Sequence, residues 1–264
     1  MEKGIAAALL LVYGPKAATL GVEAGDRMLR FYSLNKLTKI RYKTLFSKEP
    51  ETIDWLNQIQ PDEVLWDVGA NVGVYTIYAA ARRGARVLAF EPLASNYHVL
   101  NMNIELNGLA QRAKAYCLAF AEHTACDVLN VRNSGAGQAQ CSFEEAINDD
   151  GKQFKPKFLQ GMIGYSIDDF VERFNPDFPD HMKVDVDGIE DKIIAGARKT
   201  LRDARLKTLS IELNTERTDI VDGIRSAVED AGFILVRQDR TSPFSPDSPV
   251  RNFQFTRPSA LQSR

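Results

Sequence analysis

Asp67, Gly69, Asn71 and Gly73 crowd the end of an apolar run in the stretch VLWDVGANVGVYTIYAA. An acid, two glycines and an asparagine where a buried strand stops and a helix starts make a turn suited to a ligand. Open α/β sheets bind ligands beyond the carboxyl ends of their strands. A dinucleotide fingerprint, GxGxxG, would need glycines at 69, 71 and 74, and the chain has Gly69, Asn71 and Val74 there. Asn71 is a fair stand-in, since asparagine tolerates left-handed backbone. A carboxylate at Asp67 would repel a pyrophosphate and attract an ammonium. The turn therefore favours a sulfonium-bearing amino acid with a free ammonium over NAD. One strand later Glu91 closes VLAFEP, 22 residues after Gly69. A carboxylate at that place accepts both hydroxyls of a ribose, and the plainer alternative is a cap for the helix starting near Ser95.

The elements that must hold these residues follow from hydrophobic pattern. Strands are expected at EVLWDVG, RVLAFEP, AKAYCLAF, HMKVDVDG, LKTLSIELN, FILVRQ and NFQFTR, with helices over Val72–Arg83, Ser95–Asn107, Ile189–Leu201 and Asp219–Ala231. Alternating β and α segments with strands this apolar predict a mostly parallel sheet covered on both faces. The last two strands have only DRTSPFSPDSP between them, so they should pair antiparallel, with that loop a stiff turn or one wall of an acceptor pocket. Residues 1–60 precede the rhythm and read as a helical or mixed extension to a domain at 61–264. Residues 132–165 form a long polar insert, read either as a substrate-side lid or as disorder.

Composition narrows the class. The chain has 264 residues, 44% hydrophobic and 26% charged, with a net charge of -2. That fits a globular protein with one large core and gives no sign of a nucleic-acid partner. Cys117, Cys126 and Cys141 are odd in number and lack CxxC spacing, which argues for a reducing, cytoplasmic setting and against structural zinc. They are expected as small buried hydrophobes. The apolar run Ile5–Tyr13 is too short to span a bilayer, and Glu2 offsets Lys3 in any signal peptide. It is expected to pack as a helix on the domain, with weak peripheral membrane contact as the alternative.

With these residues in view, the chain resembles the FkbM family of S-adenosylmethionine-dependent methyltransferases. The similarity covers roughly residues 44 to 235 and rests on TLFSKEPET, WDVGANVGVYTIYAA, AFEP, NYHVLNMNIELNGL, SIDDF, KVDVDGIEDKIIAGA and SIELN, in that order. The resemblance implies an α/β, Rossmann-like methyltransferase fold: a seven-stranded, mostly parallel sheet with helices on both faces and one antiparallel edge strand. It also implies methyl transfer, usually to a hydroxyl of a sugar or secondary metabolite. Carried over by position, Asp67, Gly69, Ala70, Asn71 and Gly73 surround the methionine moiety, Glu91 and Pro92 meet the ribose, and Ala119 and Phe120 line the adenine. CLAFAEHTACDV departs from the family's usual turn after the third strand, which loosens the adenine assignment. For Lys48, Glu49 and Pro50 two readings stand, a cover over the cofactor's amino-acid end or a helix start with proline in its first turn.

Methyl transfer to oxygen is an in-line displacement, in which positioning lowers the barrier by up to roughly 7–11 kcal/mol. A base that takes the hydroxyl proton adds roughly 10²–10⁴-fold. Asp185, in KVDVDGIE, is the preferred base or hydroxyl-orienting group; Asp187 and Glu190 read as helix-start residues. His123 is a second candidate base. Glu212 and Asn214, ending SIELN, could meet acceptor hydroxyls. Asp185, Asp187 and Glu190, three acids so close, also raise Mg2+, with no triad fixed. Lys183 falls within a buried strand and needs a carboxylate partner, expected to be Asp67 or Glu212. Tyr75, Tyr78, Phe90, Trp55 and Trp66 read as core. His181 stands at the far end of its strand and is set aside. Two other functions fit parts of the pattern: an NAD-dependent oxidoreductase, and a methyltransferase-like binding module without activity. The oligomeric state and the acceptor, small molecule or glycan, are left open.

Overall fold

The computed structural model describes residues 19–239 and 247–261. The Ile5–Tyr13 segment and most of the SPFSPDSP loop lie outside them. A hairpin of β1 (Thr19–Ala24) and β2 (Arg27–Tyr32) opens the described chain. Helix α1 (Lys36–Lys43) follows, started by Asn35 in a reciprocal cap with Thr38. Helix α2 (Pro50–Leu56) begins on its proline. Trp55 of α2 donates from Nε1 to Thr208 Oγ1 at 3.0 Å, and Gln254 donates to the Glu51 carbonyl at 3.1 Å. The segment before the first sheet strand is thus fastened to the strands of the sheet.

The sheet is built from β3 (Val64–Val68), β4 (Arg86–Phe90), β5 (Ala113–Tyr116), β10 (His181–Val184), β11 (Thr208–Asn214), β12 (Ile234–Gln238) and β13 (Val250–Thr256). Its order is β12-β13-β11-β10-β3-β4-β5. β3, β4, β5, β10 and β11 run parallel, and β13 runs antiparallel to both neighbours. The antiparallel strand thus sits one place in from the edge, where the resemblance put it at the edge. The chain skips one lane in placing β12, and the hairpin return drops β13 into the gap.

Helices cover both faces: α3 (Val74–Tyr78, continuing as a π-helical turn to Arg83), α4 (Ala94–Leu106), α6 (Glu190–Ala195), α7 (Arg198–Arg202) and α8 (Thr218–Asp230), with a last short α9 (Pro258–Leu261). Strand alternation sends Trp66 and Val68 into one core with Phe90, Phe120, Phe170 and Phe253. Leu65 enters the other, with Phe31, Tyr42, Trp55, Ile77 and Leu100. The helix expected over Ile189–Leu201 is broken at Gly196, where a Cβ would come within 2.3 Å of the Ala121 carbonyl.

The insert is neither a bare loop nor disorder. A second, four-stranded sheet, ordered β6-β9-β7-β8, combines β6 (Ala119–Phe120), β7 (Ala125–Val131), β8 (Cys141–Phe143) and β9 (Phe158–Tyr165). Helix α5 (Ile167–Phe174) follows, with Ser166 Oγ accepting from the Asp169 amide at 3.0 Å; the SIDDF motif is its first turn. The cysteines also differ from expectation, since Cys117 and Cys126 are exposed and only Cys141 is partly covered. No helix among the described residues is long and apolar enough to cross a membrane.

Candidate active site

The turn after β3 works because its backbone does what side chains would prevent. Gly69 has φ +85°, and a Cβ there would lie 1.9 Å from the Asp185 carbonyl oxygen. Asn71 also takes positive φ, at 51°. The Gly69 and Ala70 amides donate to the Phe90 carbonyl, at 2.9 and 3.0 Å, which ties this turn to the end of β4. A cavity of about 240 Å³ opens above these strand ends. Gly69, Ala70, Asn71, Glu91, Pro92, Ala119, Phe120, Glu49, Asp185 and Glu212 all line it.

Three sequence candidates stand elsewhere. Asp67 is 1% exposed and faces away, because alternation puts it on the side of Leu65 rather than of Trp66. It accepts from Thr76 Oγ1 at 2.6 Å and lies beside Lys183 in register. Burial raises its carboxyl above the usual range. Gly73 also misses the cavity; its φ of +83° starts α3, and a Cβ there would strike Leu100 Cδ1 at 2.4 Å. His123 is exposed on the link between β6 and β7 and does not line the cavity, so it is no base for a reaction there.

The cavity has two chemically distinct ends. At one, Leu118, Ala119, Phe120, Leu129 and Phe143 make an apolar slot beside Glu91. Glu91 is 3% exposed; its Oε2 accepts from the Asn71 amide at 2.7 Å and its Oε1 from the Leu93 amide at 2.9 Å. Burial pushes its carboxyl up to about 7, against the pull of those amides. A carboxylate has about four lone-pair sites; Asn96 Nδ2 also donates to Oε1, at 3.4 Å, so one site on Oε2 stays open for a ribose hydroxyl.

At the other end Glu49, Asp185 and Glu212 bring carboxylate oxygens within 4.8 Å of one another. Lysines balance them. Lys183, 1% exposed, pairs with Asp185, and Lys48 pairs with Glu49. The Lys183 partner is therefore Asp185, not the expected Asp67 or Glu212; the two side chains project on the same side of one strand end. Its ammonium also sits 4.9 Å from the centre of the Tyr75 ring. Burial alone would raise the Asp185 carboxyl, but the Lys183 and Lys48 ammoniums outweigh it and hold it below the usual carboxylate range. Glu212 moves the other way, raised well above 4.5 by burial and by Asp185 and Glu49. Tyr75, expected as simple core, lines the cavity and donates to Glu49 Oε2 at 2.9 Å.

The insert supplies what the sequence did not reveal. Asn71 and Asn96 donate to the Gln138 carbonyl at 2.8 and 2.9 Å, and the Gly137 amide donates to Asn96 Oδ1 at 2.7 Å. Asn35 and Arg41 hold the Ala136 and Gly137 carbonyls, at 2.8 and 2.7 Å. Residues 136–138 form a strap along the cavity. Asp187, expected as a helix-start residue, lines the cavity and accepts from the Gln140 and Cys141 amides at 2.5 and 3.1 Å. Glu190 opens α6, with its Oε1 accepting the Gly188 amide at 3.2 Å.

Further along, the turn at Asn148–Gly151 rests on Gly188, where a Cβ would lie 2.6 Å from the Asn148 carbonyl oxygen. It carries Asp149, which lines both the main cavity and a smaller one with Asn214 and Arg217. Asp149 Oδ1 is buried without a hydrogen-bond partner, and burial raises its carboxyl. No local pattern marked it, because its turn meets Gly188 only through the fold.

The profile of the methyltransferase FkbM domain matches residues 67–235. Methyltransferase sdnD of Sordaria araneosa is 25% identical over 241 residues, covering 83% of this chain and 90% of that protein. The AMB antimetabolite synthetase AmbE of Pseudomonas aeruginosa is 41% identical over 68 residues, 25% of this chain but 3% of that much longer protein. Among solved structures, a Clostridium thermocellum protein assigned as an rRNA methylase superposes with a TM-score of 0.50 at 10% identity, covering 80% of this chain and 95% of that one.

Proposed function

The chain belongs to the FkbM family of methyltransferases, and from that premise we propose that it methylates a hydroxyl oxygen of a sugar in a glycan, glycolipid or related metabolite. It is an S-adenosylmethionine-dependent methyltransferase, which displaces the oxidoreductase alternative. The cavity's donor set suits that cofactor: an apolar slot for a base, a carboxylate at Glu91 for a ribose hydroxyl, and a charged end for an amino acid. When bound there, S-adenosylmethionine supplies a methyl group on a sulfonium, activated for displacement.

The observation that carries the hydroxyl acceptor is Asp149, a residue that lines two adjoining cavities and holds one buried oxygen without a hydrogen-bond partner. Asp185 is held ionised by Lys183 and is too weakly basic to keep a proton. It therefore orients the hydroxyl by accepting its hydrogen bond. Asp149, raised by burial, is better matched to taking the proton as the oxygen gains the methyl. Asn214 and Arg217 hold the turn that carries Asp149 in place, donating to the Asp149 and Gly188 carbonyls at 3.2 and 2.9 Å.

Mg2+ does not fit this site. Glu49 and Asp185 already pair with Lys48 and Lys183, so three carboxyls and two ammoniums leave at most one net negative charge, enough for a single ammonium and too little for a divalent ion. The reading is metal-independent, and places the protein in the cytoplasm, where its three free cysteines stay reduced.

The test is a panel of glycosides, simple alcohols, amines and carboxylic acids offered with S-adenosylmethionine. Release of S-adenosylhomocysteine and a methyl ether by NMR are expected with glycosides. Turnover confined to amines or acids would overturn O-methylation, and turnover confined to simple alcohols would overturn the sugar.

A further inference from the structure

Two cations line the main cavity, Arg41 and Lys48. Lys48 is paired with Glu49. Arg41 has no carboxylate partner among the described residues. Its Nε donates to the Gly137 carbonyl at 2.7 Å, a contact that fixes the guanidinium without neutralising it. An uncompensated guanidinium in a half-enclosed cavity is an anion site, and its planar fork matches a carboxylate.

Position sharpens the match. Arg41, in the last turn of α1, and Thr44, Leu45 and Lys48, in the turns that follow it, all line the cavity. They form a wall leading to the Glu49, Asp185 and Glu212 carboxylates. At its other end, Arg41 holds Gly137 while Asn71 holds Gln138, so the guanidinium lies beside the turn that follows β3. Along this wall a cation and a group of carboxylates stand in succession. A zwitterionic amino acid carries the complementary pair.

We propose that Arg41 binds the carboxylate of the cofactor's amino-acid end, and that the carboxylates around Glu49 receive its ammonium. This rests on the cofactor reading above. It makes α1, outside the matched 67–235 segment, part of the cofactor site. The Gly137 contact gives Arg41 a second task, since the same side chain holds the strap.

The experiment is titration of the full chain with three neutral-sulfur probes: S-adenosylhomocysteine, its decarboxylated analogue and methylthioadenosine. Wild-type protein should bind the decarboxylated analogue roughly 10- to 100-fold more weakly than S-adenosylhomocysteine, as for one hydrogen-bonded charge pair. Arg41→Gln should weaken S-adenosylhomocysteine by a similar factor and leave the other two unchanged. Equal weakening of all three probes would assign Arg41 to strap structure alone and overturn the proposal. Equal wild-type affinity for S-adenosylhomocysteine and its decarboxylated analogue would overturn it without any variant, so the test survives a misfolded Arg41→Gln. If wild-type protein binds none of the three, the cofactor reading itself fails, and this inference with it.

Discussion

A ribose held by Glu91, as proposed, would make cofactor binding a proton-linked event. In the free protein burial holds its carboxyl at about 7, so it is about nine-tenths protonated at pH 6 and about one-tenth at pH 8. A ribose hydroxyl needs the ionised form, because it donates. Binding must therefore expel a proton at pH 6, and affinity should fall about tenfold between pH 8 and pH 6. Stability of the free protein runs the other way. A carboxyl raised from 4.5 to about 7 stabilises the fold most below 4.5, and that contribution, about 3 kcal/mol, is lost as pH rises through 7. Isothermal titration with S-adenosylhomocysteine at pH 6 and pH 8, in buffers of different ionisation heat, reads both affinity and protons released. Glu91→Gln should bind more weakly, by roughly 10- to 100-fold at pH 8 for the lost charged acceptor. It should also lose the pH dependence, which separates Glu91 from Asp187, the other cavity carboxyl that burial raises to about 7. A wild-type affinity flat from pH 6 to 8, with no proton released, would refute the reasoning.

Three further tests probe the rest of the site. Gly69→Ala puts a Cβ 1.9 Å from the Asp185 carbonyl at a φ of +85°, and should lower the melting temperature steeply or prevent folding; a shift of a few degrees would show the turn relaxing freely. Lys183→Met removes a fully buried ammonium from among Asp185, Asp67, Glu49 and Glu212, at an expected cost of about 3–5 kcal/mol in urea unfolding at pH 8. That cost should shrink toward pH 5, where the stranded carboxyls take up protons. Asp149→Asn should slow methyl transfer to an accepted glycoside by roughly 10²–10⁴-fold while leaving S-adenosylhomocysteine affinity within about twofold, since it touches the acceptor side; an equal loss of binding would mean that Asp149 serves the fold.

The parts of the site written in local sequence were readable in advance. Gly69, Asn71 and Glu91 sit at strand ends whose apolar runs are unmistakable, and turn chemistry at such ends has few solutions. Asp67 was misjudged although its parity with Leu65, opposite to Trp66 and Val68, could have told which face it takes. The insert was harder. Its two strands, Cys141–Phe143 and Phe158–Tyr165, lie well apart within a polar stretch, and they gain regularity only by pairing with Ala125–Val131, outside it. The lysine–carboxylate arrangement could not be read at all. Lys48 and Glu49 precede the first strand of the main sheet, Lys183 and Asp185 end a central one, and Glu212 ends its neighbour. Only sheet order brings them to one wall. The Tyr75 spacing did indicate a covered ring, but nothing in spacing shows that its hydroxyl ends on Glu49.

The second sheet leaves the main body and returns at adjoining points. Ala119 and Phe120 pair with Gly164 and Tyr165, and the Ala121 amide donates to the Tyr165 carbonyl at 2.9 Å. A segment whose two ends are clasped together behaves like a cartridge in a socket. Lengthening or shortening it between those ends changes loop closure by only about 0.6 kcal/mol per doubling. Lineages can therefore exchange this cartridge while the parallel sheet stays the same. Because it carries both Asp149 and Gln138 into the lining of one cavity, each exchange would, on the proposed roles, retune the acceptor pocket and the grip on the cofactor together. Engineering a new acceptor by replacing the cartridge will thus require selection for cofactor affinity in the same step.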